Sequence, residues 1–252
     1  MTEIKAIFFD QDGVIIDTEK DGHRVAFNRT FAEFGYDFEW SVDRYHELLQ
    51  VSGGKERMRR YFQDEGLFSD LTPEERQGEI VKLHKRKTEI FVELIESGAL
   101  PLRAGVKRLM QEALDRNLTL GVCTTANERS ANAIARGMLA DIHFAFILAG
   151  DVVKKKKPDP EIYLLALEKT QLKPEACIVI EDSRNGVMAA RAAGLRSVAT
   201  TNIYTEKEDL SDAEIIVTSL GEPDGEKGVL KQAGKDLPFD GVLHVDQLIE
   251  YF

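Results

Sequence analysis

Short apolar segments alternate with amphipathic segments along most of the chain, and this spacing predicts the fold. Residues 4–9 form an apolar segment that ends in acidic residues, which is typical of a buried strand. Further strand-like segments are predicted at 118–123, 144–149, 176–180, 197–200 and 215–217. Helical segments separate them, at 106–116, 129–136, 160–170 and 186–193. Strands that alternate with helices in this way predict a parallel sheet with right-handed crossovers.

The segment from residue 18 to residue 96 interrupts this alternation. Its apolar residues recur at three- and four-residue spacing with charged residues between them, which predicts helices. The run Gly98-Ala99-Leu100-Pro101 ends the helical pattern. We therefore expect an α/β fold, with a Rossmann-like parallel-sheet core domain (residues 1–16 and 99–252) and an inserted α-helical cap domain (residues 17–98). Trp40 is expected in the core of the cap.

The segment 221–241 is rich in Gly, Pro, Asp and Lys. This composition predicts a long surface loop. A last short helix is predicted after it, at 245–251.

Charge and composition limit the classes of partner. The net charge of −11 argues against nucleic acid and against an anionic membrane surface, because both are polyanions. The two cysteines lie inside apolar segments and predict buried, reduced thiols. The N-terminal residues have neither the basic start nor the apolar core of a secretion signal, and no apolar stretch has the length of a membrane span. A cytoplasmic monomer is expected.

Two carboxylates, Asp10 and Asp12, directly follow the first predicted strand. Such a pair can hold a divalent cation, and one member can attack phosphorus while the other transfers protons. Acidic turns after strands are common, so the pair by itself does not establish this chemistry. The hydroxyls of Thr124 and Thr125 follow the second predicted strand and could bind a phosphoryl oxygen, although taken alone they are more typical of helix capping.

Two further groups follow later strands. Lys157 is the last of four consecutive lysines and precedes Pro158, which restricts its backbone. Its ammonium group could neutralise a phosphoryl group, although a lysine run is more typical of a solvated surface. Glu181 and Asp182 follow the fourth predicted strand and could supply an oxygen ligand to Mg²⁺ or cap the next helix. Because the carboxyl ends of parallel strands meet at one edge, we expect all four groups to converge there.

Together these four groups resemble the motifs of the haloacid dehalogenase (HAD) superfamily of phosphotransferases. The resemblance covers residues 3–218 and implies that Asp10 is the nucleophile and Asp12 the general acid and base. It further implies that Thr124, Thr125 and Lys157 bind the phosphoryl group. The Mg²⁺ ligands that it implies are Asp10, Asp12 through its backbone carbonyl, Asp182, and Glu181 close by.

Within the superfamily the chain is similar to the β-phosphoglucomutase-like branch, and more closely to CbbY-type sugar bisphosphate phosphatases. The helical insert resembles the cap of this branch. The residues on which the closer similarity rests are Asp17-Thr18-Glu19, His23, Gly53-Gly54-Lys55-Glu56-Arg57, His84 and Lys87-Thr88. The substrate-binding residues that it implies are Glu19, His23, Gly54, Lys55, Arg57, Ala126 and Asn127. Arg57 is the strongest candidate for a second phosphate, because a guanidinium group binds phosphate in a bidentate way.

The function implied is Mg²⁺-dependent hydrolysis of a small phosphorylated sugar through an aspartyl phosphate. Xylulose-1,5-bisphosphate is the specific candidate. Two alternatives stay open. A sugar phosphate mutase of the β-phosphoglucomutase type would use the same acids but return the phosphoryl group to a sugar. A non-catalytic phosphate-binding or regulatory protein is the alternative of another class, although Asp10, Asp12 and Lys157 are all present.

Overall fold

A computed structural model describes residues 3–51, 54–126 and 128–252, with the backbone alone described at residue 151. These residues divide into two compact units. The first comprises the described residues up to Asp17 together with Pro101–Phe252, and the second is Thr18–Leu100.

The first unit is built on a seven-stranded sheet in the order β3-β2-β1-β4-β5-β6-β7. Its strands are β1 (Ala6–Phe9), β2 (Thr119–Cys123), β3 (Phe146–Leu148), β4 (Cys177–Glu181), β5 (Arg196–Thr200), β6 (Ile215–Val217) and β7 (Leu230–Ala233). The first six pair in parallel, which confirms the predicted α/β fold. All four residues of β1 are buried, as their unbroken apolar run predicts for a central parallel strand.

Strand β7 corrects the prediction that 221–241 is entirely surface loop. Leu230–Ala233 pairs antiparallel with β6 at the edge of the sheet. The strand has four residues, its burial is partial, and none of them is β-branched or aromatic. A short edge strand of this composition has no clear signature in the sequence.

Helices cover the sheet of the first unit. They are α5 (Val106–Asp115), α6 (Glu128–Gly137), α7 (Glu161–Thr170), α8 (Arg184–Ala192) and α9 (Val245–Tyr251). Side chains of α7 and α8 pack with Phe8 and Val179 in one apolar cluster. Within the described ranges, every helix is too short or too polar to cross a membrane.

The second unit is helical, as its apolar periodicity predicts. A π-helical turn at Thr18–His23 precedes α1 (Arg24–Glu33), α2 (Val42–Leu48), α3 (Gly54–Asp64) and α4 (Pro73–Glu96). Helix α4 begins with a capping box, in which Thr72 and Glu75 each bond the other's backbone N–H. Trp40 is fully buried, with its ring centroid 4.5 Å from that of Phe27, so its predicted place in this core is confirmed.

Candidate active site

The strand register places Asp10 among the other predicted site residues. Phe9 pairs with Val122 of β2 on one side and with Ile180 of β4 on the other. Asp10 is therefore level with the carboxyl ends of both neighbouring strands, and its N–H donates to the carbonyl of Ile180 at 2.9 Å. In a parallel sheet this edge is where ligands bind.

Three buried carboxylates meet at this edge: Asp10, Glu181 and Asp182. Each offers an oxygen within 4.8 Å of the oxygens offered by the other two, so the triad could hold a metal ion. Carboxylate oxygens suit hard divalent cations such as Mg²⁺. The carboxylate of Asp12 is not a member of this triad. The Asp12 side chain is half-buried, and its Oδ1 lies 3.4 Å from Gln11 Nε2.

Lys157 joins two members of the carboxylate triad. Its Nζ lies 2.6 Å from Asp10 Oδ1 and 2.6 Å from Glu181 Oε1, and it also donates to the carbonyl of Cys123 at 2.9 Å. The ammonium group is nearly inaccessible to solvent. Unlike a lysine in a solvated run, Lys157 therefore lies inside the site.

Burial and neighbouring charges shift the pKa values of Asp10, Asp182 and Lys157. Burial raises the pKa of Asp10 to about 8, because Lys157 only partly offsets the desolvation and Glu181 adds to it. Burial, and then the charge of Asp10, also raises the pKa of Asp182 well above its ordinary value. Burial lowers the pKa of Lys157, but the attraction of Asp10 and Glu181 is larger and raises it overall. A bound cation would favour the ionised carboxylates, so the residues present fit a metal site.

Asp182 is fixed from two sides. Asn202 Nδ2 donates to its Oδ2 at 2.7 Å. Gly13 lies against the same oxygen, since a Cβ added there would be 1.9 Å from it. Gly13 also has a φ of +85°, which a residue with a side chain rarely adopts. The turn after Asp12 thus depends on glycine to bring the backbone next to a carboxylate.

The loop after β2 carries the two threonines that the sequence predicts as phosphoryl ligands. Thr124 is buried, and its hydroxyl accepts a hydrogen bond from the N–H of Ala126 at 3.0 Å. Thr125 is exposed and Ala126 is half-buried. Asn127 lies outside the described residues, as does Gly53 of the second unit.

Three residues that surround this site have no signature in the sequence. Tyr163 on α7 donates its hydroxyl to Glu181 Oε1, and Asn202 bonds Asp182 as described above. The guanidinium group of Arg103 donates to the carbonyl of Gly13 and to that of Thr201 at 2.6 Å. Burial lowers the pKa of Arg103. Its partners are backbone atoms, for which a sequence has no signature.

The second unit holds a polar cluster of its own, which contains most of the predicted cap residues. Arg57 is buried and its Nη1 donates to the Tyr45 hydroxyl at 2.7 Å, while that hydroxyl lies 2.5 Å from Glu19 Oε2. His23 Nδ1 lies 2.8 Å from Lys87 Nζ. Sequence reasoning did not find Tyr45.

Two predicted cap residues lie at the start of α3. A Cβ added to Gly54 would be 2.8 Å from the Nε2 of His84, so the glycine allows close packing there. Lys55 is half-buried. Within each unit, the structure brings most of the predicted residues together.

Comparison with known proteins places the chain in a family. The profile of the haloacid dehalogenase-like hydrolases matches residues 4–194. A "CBBY-like protein" of Arabidopsis thaliana is 46% identical over 88% of this chain and 71% of its own length. "Protein CbbY" of Rhodobacter capsulatus is 42% identical over 86% of this chain and 94% of its own length.

A solved structure shows the same likeness. A CbbY mutant from Rhodobacter sphaeroides, in complex with xylulose-(1,5)bisphosphate, is 37% identical with a TM-score of 0.67. The likeness covers 88% of this chain and 97% of the other. The resemblance drawn from the four strand-end motifs and the prediction of an enzyme are thereby confirmed. The chain belongs to the haloacid dehalogenase-like hydrolase family.

Proposed function

We propose that the chain is a Mg²⁺-dependent phosphatase that hydrolyses a small phosphorylated sugar through a phosphorylated aspartate, Asp10. One observation carries the proposal: the buried Asp10 carboxylate lies within 2.6 Å of the Lys157 ammonium and within the carboxylate triad. This combination gives a nucleophile, a fixed cation and a metal site at one sheet edge. Xylulose-1,5-bisphosphate is the first candidate substrate, because a CbbY relative was crystallised with it.

In the first step an oxygen of Asp10 forms a bond to phosphorus while the bond from phosphorus to the sugar oxygen breaks. Asp12 donates a proton to the departing oxygen. In the second step the oxygen of a water molecule attacks phosphorus, Asp12 takes a proton from that water, and the bond to Asp10 breaks. The products are the sugar alcohol and inorganic phosphate.

Charge stabilisation accounts for most of the catalysis of such a transfer, because the transition state carries charge on the equatorial oxygens. Lys157 supplies one fixed positive charge, and the loop of Thr124 and Thr125 supplies hydroxyls. The triad and the backbone carbonyl of Asp12 would hold Mg²⁺. Its positive charge would reduce the electrostatic repulsion between an anionic phosphoryl group and the three carboxylates.

The second unit is the candidate for substrate selection. Arg57 and Lys87 give its polar cluster positive charge, with Glu19 as the counter-charge. Lys55, two residues before Arg57 on α3, is a further cation of this unit. Arg57 has one further feature: among the described residues its buried Nε has no hydrogen-bond partner. We propose that this cluster recognises a second phosphate or the hydroxyls of the sugar, with Ala126 and Asn127 of the core also contacting substrate.

The central test is phosphate release from a panel of sugar phosphates and p-nitrophenyl phosphate. The wild type should release phosphate with Mg²⁺, stop when EDTA is added and recover with excess Mg²⁺. The Asp10→Asn variant should fold but release none. Borohydride treatment during turnover should convert residue 10 of the wild type to homoserine, which mass spectrometry detects. Phosphate release that survives in Asp10→Asn would reject the nucleophile, and an isomerised sugar phosphate without free phosphate would indicate a mutase.

The role of the polar cluster needs a separate variant. Arg57→Ala should raise KM for a sugar bisphosphate while p-nitrophenyl phosphate hydrolysis stays nearly unchanged, since an aryl phosphate has no distal anionic group. Arg57→Lys keeps the charge, so its KM for the bisphosphate should lie between those of the wild type and Arg57→Ala. An equal loss on both substrates would exclude recognition of a second phosphate by Arg57.

A further inference from the structure

Tyr163 is linked to the proposed phosphoryl-binding lysine in two ways, directly through its ring and indirectly through Glu181. Its side chain is fully buried in α7. Its hydroxyl donates to Glu181 Oε1, which also accepts from Lys157. Its ring faces the Lys157 ammonium, with Nζ 5.0 Å from the ring centroid, a distance at which a cation and an aromatic face attract each other.

Glu181 is held at both of its oxygens. Oε1 accepts from Lys157 and Tyr163, and Oε2 accepts from the N–H of Asp182 at 3.2 Å. The side chain has no solvent exposure, so water cannot replace a lost donor at low cost. The position of the Lys157 ammonium therefore depends on the orientation of Glu181, and that orientation depends on the Tyr163 hydroxyl.

The backbone around Lys157 is tied to the same helix. Glu161, the first residue of α7, accepts from the N–H groups of Lys154 and Lys155 at 3.0 and 2.9 Å. The turn that leads into Lys157 is thus fixed to the start of α7, one half-turn before Tyr163. The helix fixes both the backbone and the charged end of this lysine.

We propose that Tyr163 is a positioning residue for phosphoryl transfer, which holds the Lys157 ammonium in place through Glu181 and through its ring. The inference rests on the proposed function, because the role of Lys157 there is to stabilise the transferring group. Charge on that group is best matched in the transition state, so a displaced ammonium should lower kcat more than it raises KM.

The test compares Tyr163→Phe with a matched loss of a tyrosine hydroxyl. Tyr163→Phe keeps the ring and removes the donor. The control is Tyr251→Phe, because the Tyr251 hydroxyl accepts from the N–H groups of Gly234 and Lys235 at 2.7 and 3.2 Å, in the C-terminal part of the fold. Both variants are checked for wild-type circular dichroism and melting temperature.

Two measurements are made on the full chain. The first is kcat and KM for p-nitrophenyl phosphate with Mg²⁺. We expect Tyr163→Phe to lower kcat about tenfold, which corresponds to the loss of one hydrogen bond to a charged group. KM should stay within about threefold of the wild-type value. The second is the acetylation rate of Lys157 by acetic anhydride, measured by mass spectrometry relative to the exposed lysines. It should rise at least about threefold in Tyr163→Phe, and Tyr251→Phe should change neither quantity by more than about twofold.

The outcomes separate this inference from the proposed function. If the wild type releases phosphate and Tyr163→Phe retains kcat within about twofold, the positioning role is wrong and the phosphatase proposal stands. If the wild type hydrolyses no phosphate ester, the phosphatase proposal fails, and the acetylation rate alone decides. An unchanged Lys157 acetylation rate in Tyr163→Phe would then overturn the claim that Tyr163 holds the lysine.

Discussion

Lys87 is a buried ammonium group in the helical unit, and its titration provides a quantitative test of that unit's polar cluster. The side chain is 7% exposed on α4. Its Nζ lies 2.8 Å from His23 Nδ1 and within 4.8 and 5.0 Å of the rings of Phe27 and Phe91. Burial, and then the charge of Lys87, lowers the pKa of His23 well below its ordinary value. Above pH 7 the histidine is therefore neutral and accepts a hydrogen bond from the ammonium group.

The pKa of Lys87 sets the sign and size of the effect. Burial lowers the pKa of Lys87 from 10.5 to about 8. The negative charge of Glu19 raises this pKa and the positive charge of Arg57 lowers it, but both effects are smaller than that of burial. Between these two values the unfolded chain binds more protons than the folded chain, so the free energy of unfolding rises with pH. Below pH 8 Lys87 is protonated in both the folded and the unfolded chain, and burying its charge lowers the free energy of unfolding by about 3 kcal/mol. Raising the pH from 7 to 10 should recover about 2.5 kcal/mol of it.

The assay uses the single tryptophan, Trp40, which is buried in the same unit and therefore reports on its unfolding. Urea titrations followed by Trp40 fluorescence are run from pH 7 to pH 10 on the wild type and on Lys87→Met. Subtracting the variant removes other groups that titrate in this range. The free energy of unfolding of the wild type should gain about 2.5 kcal/mol relative to Lys87→Met. Lys82→Met, at an exposed lysine of the same helix, is the control and should show no such trend.

A flat difference between the wild type and Lys87→Met across this range would refute the reasoning. It would mean that Lys87 keeps an ordinary pKa in the folded chain, and therefore that its ammonium reaches water. A difference that falls with pH would refute it more strongly, because it would require the folded chain to stabilise the charged form.

Three further predictions concern the core unit. Lys157→Met leaves Asp10 and Glu181 buried without their counter-charge, so it should abolish turnover and lower the free energy of unfolding by about 3 to 5 kcal/mol in urea titrations. Gly186→Ala places a Cβ 1.9 Å from Glu181 Oε2, so it should lower both the melting temperature and kcat. Wild-type values of both would show that α8 can move away from Glu181 without cost. Arg103→Lys keeps the charge but loses the planar guanidinium group, whose two NH₂ groups reach carbonyls on separate loops, so it should raise the Mg²⁺ concentration needed for half-maximal rate. An unchanged Mg²⁺ requirement would limit Arg103 to a role in stability.

The convergence of the site could be predicted because it follows from topology. Once β1, β2 and β4 are parallel neighbours, Asp10 and Glu181 must lie at the same edge, whatever the details of packing. The lysine is a different case, because its position depends on a loop. A run of four lysines is typical of a solvated surface. The following Pro158 distinguishes Lys157 from the other three in the sequence, but its position in the site is set by contacts that form only in the folded chain.

The residues that support the site could not be predicted, for physical reasons that differ. Tyr163 occupies a buried position of an amphipathic helix, where an aromatic residue is expected for packing alone. Arg103 bonds backbone carbonyls, which every residue provides. Glu181 and Asp182 are adjacent, so the sequence pattern alone predicts the same role for both, an oxygen ligand to Mg²⁺ or a helix cap. Successive side chains of a strand point in opposite directions, however, and the two acquire different partners: Lys157 for the first, Asn202 for the second.

Charge also explains why the proposed chemistry would need a divalent cation at this site. At the described sheet edge the buried carboxylates of Asp10, Glu181 and Asp182 face one ammonium group, that of Lys157. If all were ionised they would leave a negative site, which would repel a phosphate ester. Burial raises the pKa values of Asp10 and Asp182, and the neighbouring carboxylates raise them further. A divalent cation would correct the charge imbalance and at the same time favour the ionised form of Asp10, so in the proposed mechanism metal binding and activation of the nucleophile would be a single electrostatic event.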